Sequence, residues 1–144
     1  LSAQGFSGII IGADGVADAA FTDAFTDTSA VDGLIATRPR PGEESSVKDS
    51  FEAAYAAAGG ADGAIYTGET YDAINISAAA IMSGGEIKAA LNKIGVNYVG
   101  ASGTHTFDTV GDVKGTGYEV CQFDGTSFSC PRIWTADDGL ASKK

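Results

Sequence analysis

The chain contains 144 residues, of which 44% are hydrophobic, and it carries a formal net charge of −10 with a pI of about 4.2. This length allows one ordinary domain with a sizeable core, and the hydrophobic fraction is typical of a folded chain rather than a disordered one. An acidic chain without a basic cluster is poorly suited to phosphate backbones or anionic membrane surfaces, so we expect no nucleic-acid partner. No apolar run is long enough to span a bilayer.

The first predicted element is a strand from Ser7 to Gly12, which contains three consecutive isoleucines. Apolar β-branched residues on both faces predict a parallel strand that helices cover on both sides. Asp14 follows between Gly12 and Gly15, and a helical pattern begins near Val16. Asp14 is therefore predicted to lie in a βα loop at the carboxyl end of a strand, where open α/β sheets bind ligands. The alternative is that Asp14 only starts or caps the following helix.

Helices and strands alternate through the middle of the chain, and strands dominate its end. Apolar spacing and capping signals predict helices at Ala17–Asp27, Ser46–Ala58, Tyr71–Ser83 and Glu86–Ile94, and extended segments at Gly33–Thr37 and Val96–Gly100. Thr70 can cap the helix that begins at Tyr71. The proline-rich connector Arg38–Glu44 is a candidate boundary or hinge. This order predicts an α/β layered fold with a terminal β-hairpin and a polar tail.

The hairpin contains both cysteines of the chain, Cys121 and Cys130, around the turn signal Asp124-Gly125. A four-residue loop places Cys121 opposite Cys130, at a separation that a disulfide spans, whereas a two-residue loop places Cys121 opposite Phe128. We favour the disulfide, which implies an oxidising compartment; the alternative is two unpaired cysteines in a cytosolic hairpin. The count of one histidine and two cysteines disfavours a zinc site. We expect no metal and no cofactor.

Seven stretches then follow one another in a characteristic order: GIIIGADGVADAAF, VDGLIATRPR, SFEAAYAAAGG, ETYDAINISAAAI, GEIKAALNKI, GTHTFDTVGDVKG and YEVCQFDGTSF. None is diagnostic alone, but their joint order resembles the periplasmic solute-binding proteins of the branched-chain amino-acid (Leu/Ile/Val) type, which serve ABC importers. The resemblance extends from about Gly5 to about Trp134. It implies a type I periplasmic binding protein-like fold, built from Rossmann-like three-layer lobes.

The resemblance also implies a division between two lobes. Chains of this family are more than twice as long and cross between their lobes three times. By that pattern residues 1–37 are a piece of lobe two, residues 38–96 are a piece of lobe one, and residues 97–144 return to lobe two with the terminal hairpin. We therefore expect the chain to be the carboxyl-terminal part of a longer protein.

The resemblance assigns three ligand-binding residues. Asp14 would hold the ammonium group of a bound amino acid, and Tyr66 would lie near the ligand side chain, although Tyr66 is equally readable as a core tyrosine. Glu69 could face the cleft, or it could be a solvated residue ahead of a helix. Tyr71 and Asp72, and likewise Phe107 and Asp108, are read as structural, with Asp72 in a first helical turn. Residues that bind the ligand carboxylate lie outside this chain.

The function that the resemblance implies is that of a periplasmic substrate-binding component, without enzymatic activity, whose signal peptide is outside this chain. It would capture an amino acid or amide by closing two lobes about hinges near Arg38–Pro41 and Tyr98–Gly103. Its partners would be the ligand, the membrane permease of an ABC transporter, and the missing amino-terminal part of its own chain or another copy. The alternatives are a sensor or receptor domain of the same fold and a small hydrolase using Asp14, or Ser102 with His105.

Overall fold

The computed structural model describes residues 5–61, 64–113 and 117–143. The chain divides into two compact units. Unit 1 comprises Leu1–Arg40 and Thr116–Lys144, and unit 2 comprises Pro41–Gly115. Unit 1 is therefore built from two pieces that are distant in sequence, whereas unit 2 is one continuous segment.

Unit 1 is a five-stranded sheet with a short helix and two 3-10 turns. Its elements are β1 (Ile11–Gly12), α1 (Ala19–Asp23), β2 (Ile35–Pro39), β5 (Tyr118–Phe123), β6 (Phe128–Thr135) and β7 (Gly139–Ser142). The spatial order of the strands is β1-β2-β5-β6-β7. Strand β1 runs parallel to β2, and the other neighbours are antiparallel. The predicted mixture of helices and sheet is confirmed.

The core of unit 1 lies where the first turns meet the hairpin strand. Val31, Leu34 and Phe123 are buried, and five partly buried hydrophobic residues pack against them, namely Ile10, Val16, Phe21, Phe25 and Phe128. The Phe21 and Phe25 rings meet edge to face at 5.2 Å, as their spacing on one helical face predicts. This cluster attaches the amino-terminal piece to the carboxyl-terminal piece of unit 1.

The first strand and the first helix are both shorter than predicted. Ile9 and Ile11 are 74% and 71% exposed, so the prediction of a strand covered on both faces is wrong for the chain in this structure. The helix begins at Ala19 because the Asp18 carboxylate accepts a hydrogen bond from the Ala20 amide and caps it. A second cap at Asp27 starts the 3-10 turn that follows.

The hairpin has the predicted four-residue loop. Phe123 pairs with Phe128, and the Asp124 carboxylate accepts hydrogen bonds from the Thr126 and Ser127 amides inside the loop. A disulfide joins Cys121 to Cys130, as we expected. The register shifts by one residue beside this bond, and β6 continues to Thr135 before β7 pairs with it. The prediction of a polar tail is therefore wrong, since Gly139–Ser142 forms a strand.

A buried carboxylate lies on the same strand as Cys121. The Glu119 side chain is fully buried and accepts hydrogen bonds from Arg38 Nε at 2.8 Å and from Lys143 Nζ. Burial raises the pKa of this carboxyl, but the hydrogen bonds and charges of Lys143 and Arg38 outweigh burial and bring the pKa below its ordinary 4.5. Glu119 thus joins β2, β5 and the end of the described chain.

Glu119→Gln is expected to make the acid unfolding of unit 1 less steep. Because the folded chain lowers the pKa of Glu119, the carboxylate stabilises unit 1 above pH 4.5 and loses this contribution as the pH falls through the folded pKa. Fluorescence of Trp134, the single tryptophan, reports the transition of unit 1. The matched control is Glu44→Gln, which removes an exposed ion pair with Lys48 in unit 2. Identical acid transitions in E119Q and the parent chain would contradict the assignment.

Unit 2 contains the three longer helices and a small hairpin. Its elements are α2 (Ser46–Ala57), α3 (Thr67–Met82), α4 (Ile87–Ile94), β3 (Tyr98–Gly100) and β4 (Gly103–His105). Side chains cap two of the helices: Ser45 accepts from the Lys48 amide, and Glu86 accepts from the amides at the start of α4. Of the helices in the described ranges, not one is both long and apolar enough to cross a membrane.

Candidate functional site

Asp14 lies two residues after the end of β1, in the predicted loop at the carboxyl end of the parallel β1–β2 pair. It opens a 3-10 turn (Asp14–Val16), its side chain is half-buried, and its Oδ1 accepts a hydrogen bond from the Gly15 amide at 2.9 Å. A Cβ on Gly12 would come within 2.2 Å of Val16 Cγ2, so Val16 would have to shift to make room for any other residue. The helix that follows is capped by Asp18. Asp14 thus starts the 3-10 turn but does not cap α1.

Tyr66 and Glu69 lie at the amino-terminal end of α3, in unit 2. Tyr66 immediately precedes the helix with φ of 64°, a left-handed conformation that is uncommon for a non-glycine residue. Glu69 is half-buried in the first helical turn, where the helix dipole favours a carboxylate. The helix begins at Thr67, so the prediction that it begins at Tyr71 with Thr70 as its cap is wrong. Asp14 belongs to unit 1.

Asp72 is a deeply buried carboxylate of unit 2, and sequence reasoning missed its role. It is 2% exposed and accepts hydrogen bonds from the Ala101 amide at 2.7 Å, the Ser102 amide at 2.8 Å and Ser102 Oγ at 2.6 Å. A Cβ on Gly100 would lie 2.2 Å from Asp72 Oδ2, so the strand approaches the carboxylate only because this residue is glycine. Asp72 therefore joins α3 to the β3–β4 turn rather than serving a first helical turn.

His105 completes a cluster of serine, histidine and aspartate. Its Nε2 lies 2.8 Å from Ser102 Oγ and 3.4 Å from Asp72 Oδ2. The Ser102 hydroxyl has one proton, and it donates this proton to the Asp72 carboxylate, which can only accept. The contact between Ser102 Oγ and His105 Nε2 therefore needs a proton on the histidine. We assign that proton to Nε2, which donates to Ser102 Oγ. Burial raises the pKa of the neighbouring Tyr98 phenol, and the charge of Asp72 raises it further.

The direction of the Ser102 hydrogen bonds is the reverse of the one that nucleophilic catalysis needs. An activated serine gives its proton to an imidazole nitrogen, and a carboxylate orients the other ring nitrogen. In this cluster serine donates to the carboxylate, and serine and carboxylate both face the same nitrogen. The geometry therefore suits a polar cluster that holds a turn, and it gives no support to Ser102 as a nucleophile.

The fold and these positions can be compared with known proteins. No family model and no curated protein matches the chain. Among solved structures, the chain resembles substrate-binding proteins of ABC transporters. One of them is the leucine-binding protein LivK of Thermotoga maritima, with a TM-score of 0.74 and 24% identity over 95% of this chain and 40% of that chain. Another is an ABC transporter substrate-binding protein of Desulfitobacterium hafniense in complex with Leu, with a TM-score of 0.62 and 20% identity over 90% and 37% of the two chains.

These similarities establish the fold. At 20–24% identity they confirm that the chain has part of the α/β fold of these substrate-binding proteins, and that its structural neighbours are of the type that the sequence resembles. The chain spans about two fifths of the length of these neighbours. The activity, ligand and partners of the whole protein are therefore proposals.

Proposed function

We propose that the chain is part of the substrate-binding component of an ABC importer, which captures a branched-chain amino acid or a related amide outside the cytoplasm and delivers it to a membrane permease. The observation that carries this proposal is the binding-protein fold with a half-buried carboxylate, Asp14, at the carboxyl end of β1. A structural neighbour in complex with Leu supports the choice of ligand class. The disulfide supports an oxidising compartment such as the periplasm.

In this proposal Asp14 binds the ammonium group of the ligand. A half-buried carboxylate forms a charge-assisted hydrogen bond that is about twice as strong as a neutral one, and the flanking glycines leave room for a ligand to approach the backbone. Tyr66 and Glu69 would contribute from the start of α3, where Tyr66 has a left-handed backbone and Glu69 lies in the first helical turn. Binding itself requires no covalent chemistry.

The lobe assignment is part of the same proposal. Residues 1–37 and 97–144 would contribute to lobe two and residues 38–96 to lobe one, with hinges near Arg38–Pro41 and Tyr98–Gly103. The compact units of the structure divide at Arg40 and Gly115 instead, so the second of these segments lies inside unit 2. A ligand that contacts both lobes binds the closed state better than the open one and shifts the population toward closure. The residues that bind the ligand carboxylate would come from the rest of a longer chain or from another copy.

Asp14→Asn is expected to weaken leucine binding about tenfold to a hundredfold, because a hydrogen bond to a charged group contributes about 1.5–3 kcal/mol. The measurement is calorimetric titration, with leucine, of the protein as its source produces it. The matched control is Asp32→Asn, an exposed aspartate of unit 1 that also precedes a glycine. Unchanged affinity in D14N would remove Asp14 from the site. Failure of the parent protein to bind leucine, isoleucine, valine or their amides would overturn the proposed function itself.

A further inference from the structure

Five Asp-Gly pairs occur in the chain: Asp14–Gly15, Asp32–Gly33, Asp62–Gly63, Asp124–Gly125 and Asp138–Gly139. Asp-Gly is the dipeptide at which an aspartate most readily cyclises, because glycine has no Cβ to obstruct the attack of its amide nitrogen. The reaction requires this nitrogen to reach the aspartate Cγ. Asp62–Gly63 lies outside the described residues, and the other four pairs can be compared directly.

Asp14–Gly15 is the described pair in which a hydrogen bond brings these two groups together. The Gly15 nitrogen lies 2.9 Å from Asp14 Oδ1, an atom bonded directly to Cγ. Gly15 is exposed, and no atom lies within 4 Å of the position that a Cβ would take there. The pair therefore combines proximity of the reacting atoms with open space and access for water.

Two other pairs have their reacting groups engaged elsewhere. The Gly33 nitrogen donates to the Phe123 carbonyl oxygen at 3.0 Å, so it is held in the sheet. The Asp124 carboxylate accepts from the Thr126 and Ser127 amides at 2.9 and 2.8 Å, so it is held by residues further along the loop. At the fourth pair, the Thr135 hydroxyl donates a hydrogen bond to Asp138 Oδ2 at 3.4 Å, so this carboxylate also contacts a residue outside the pair.

We propose that Asp14–Gly15 is a site of spontaneous covalent modification, at which Asp14 converts to isoaspartate. The Gly15 nitrogen loses its proton and bonds to Cγ of Asp14, the carboxyl hydroxyl leaves with a proton as water, and a five-membered succinimide forms. Water then opens the ring. Cleavage of the bond from nitrogen to Cγ restores aspartate, whereas cleavage of the bond from nitrogen to the main-chain carbonyl carbon gives isoaspartate.

The product moves the carboxylate group. Isoaspartate inserts one methylene into the main chain and removes it from the side chain, so the turn after β1 lengthens and the acidic group retracts. This inference does not depend on the proposed function. If Asp14 also binds the ligand, the gradual conversion to isoaspartate produces a form of the protein that binds the ligand weakly.

The test is a peptide map of the folded chain after prolonged incubation at mildly acidic pH. Asp-N protease cleaves before aspartate but not before isoaspartate, and a transient species lighter by one water marks the succinimide. We expect isoaspartate to accumulate at Asp14 several-fold faster than at Asp32, Asp124 and Asp138. We expect Gly15→Ala, whose added Cβ meets open space, to remove this excess while leaving the unfolding transition of the chain unchanged.

A parallel incubation in denaturant separates structure from sequence. Unfolding abolishes the contact between the Gly15 nitrogen and Asp14. In denaturant the rates of isoaspartate formation at the four aspartates should therefore converge. A rate at Asp14 that does not exceed the other three in the folded chain would overturn the proposal, as would an unchanged rate in G15A. A preference for Asp14 that persists in denaturant would equally reject the structural explanation.

Discussion

Asp72→Ala is expected to destabilise unit 2 by about 3–5 kcal/mol, because each buried amide left without an acceptor costs about 1–3 kcal/mol. The alanine would leave three donors without their acceptor, namely the Ala101 amide, the Ser102 amide and the Ser102 hydroxyl. Far-UV circular dichroism during urea unfolding follows unit 2, which holds the three longer helices. Amide hydrogen exchange at Ala101 and Ser102 reports the same loss locally.

Two further variants separate the contribution of Asp72 from a general effect of charge. Ser102→Ala removes one hydroxyl and is expected to cost about 1 kcal/mol. Asp49→Ala removes an exposed carboxylate from the first turn of α2 and is expected to cost about 0.3–1 kcal/mol. If D72A unfolded with the same midpoint and slope as D49A, Asp72 would not be the link between α3 and the β3–β4 turn.

Replacing both cysteines by alanine is expected to destabilise unit 1 by about 2.5 kcal/mol, as chain entropy predicts for a closed loop of about ten residues. The disulfide joins residues separated by nine positions, so the effect is smaller than for a bond that closes a long loop. Trp134 fluorescence during urea unfolding measures the change, since this residue lies on β6, the strand that contains Cys130.

Reduction of the unmodified chain is the matched experiment for the cysteines. It should raise the intact mass by two hydrogens and reproduce the destabilisation of the double variant. An intact mass that does not change on reduction would exclude the bond. A double variant that loses stability while the reduced chain does not would assign the loss to packing around Cys121 instead.

The hairpin was predictable because its determinants are local. Asp124-Gly125 sets the loop, the loop sets which residues pair, and the pairing brings the two cysteines together. The general α/β architecture was also predictable, because it is indicated by the spacing of apolar residues and by the glycine and proline residues between elements. The position of Asp14 in the loop after β1 was predictable for the same reason, because Gly12 ends the run of isoleucines two residues before it.

The start of α3 and the role of Asp72 were not predictable, because contacts distant in sequence determine both. Thr70 satisfies the local rule for a cap, but the helix starts earlier, where Gly68 packs against Ser102. Asp72 finds its hydrogen-bond donors 29 and 30 residues further along the chain. One signal was available: Gly100 is the last residue of an extended segment, where glycine can mark the close approach of another group.

The pairing of β2 with β5 also bears on biosynthesis. Ile35 pairs with Gln122, and all of unit 2 lies between them in sequence. The ribosome therefore synthesises the whole of unit 2 before β5, the antiparallel neighbour of β2, is available. Unit 2 is a continuous segment, so it can fold first. During that interval β2 presents an unpaired edge to the cytoplasm or to the export machinery. We expect that edge to be the point at which the nascent chain most needs a chaperone.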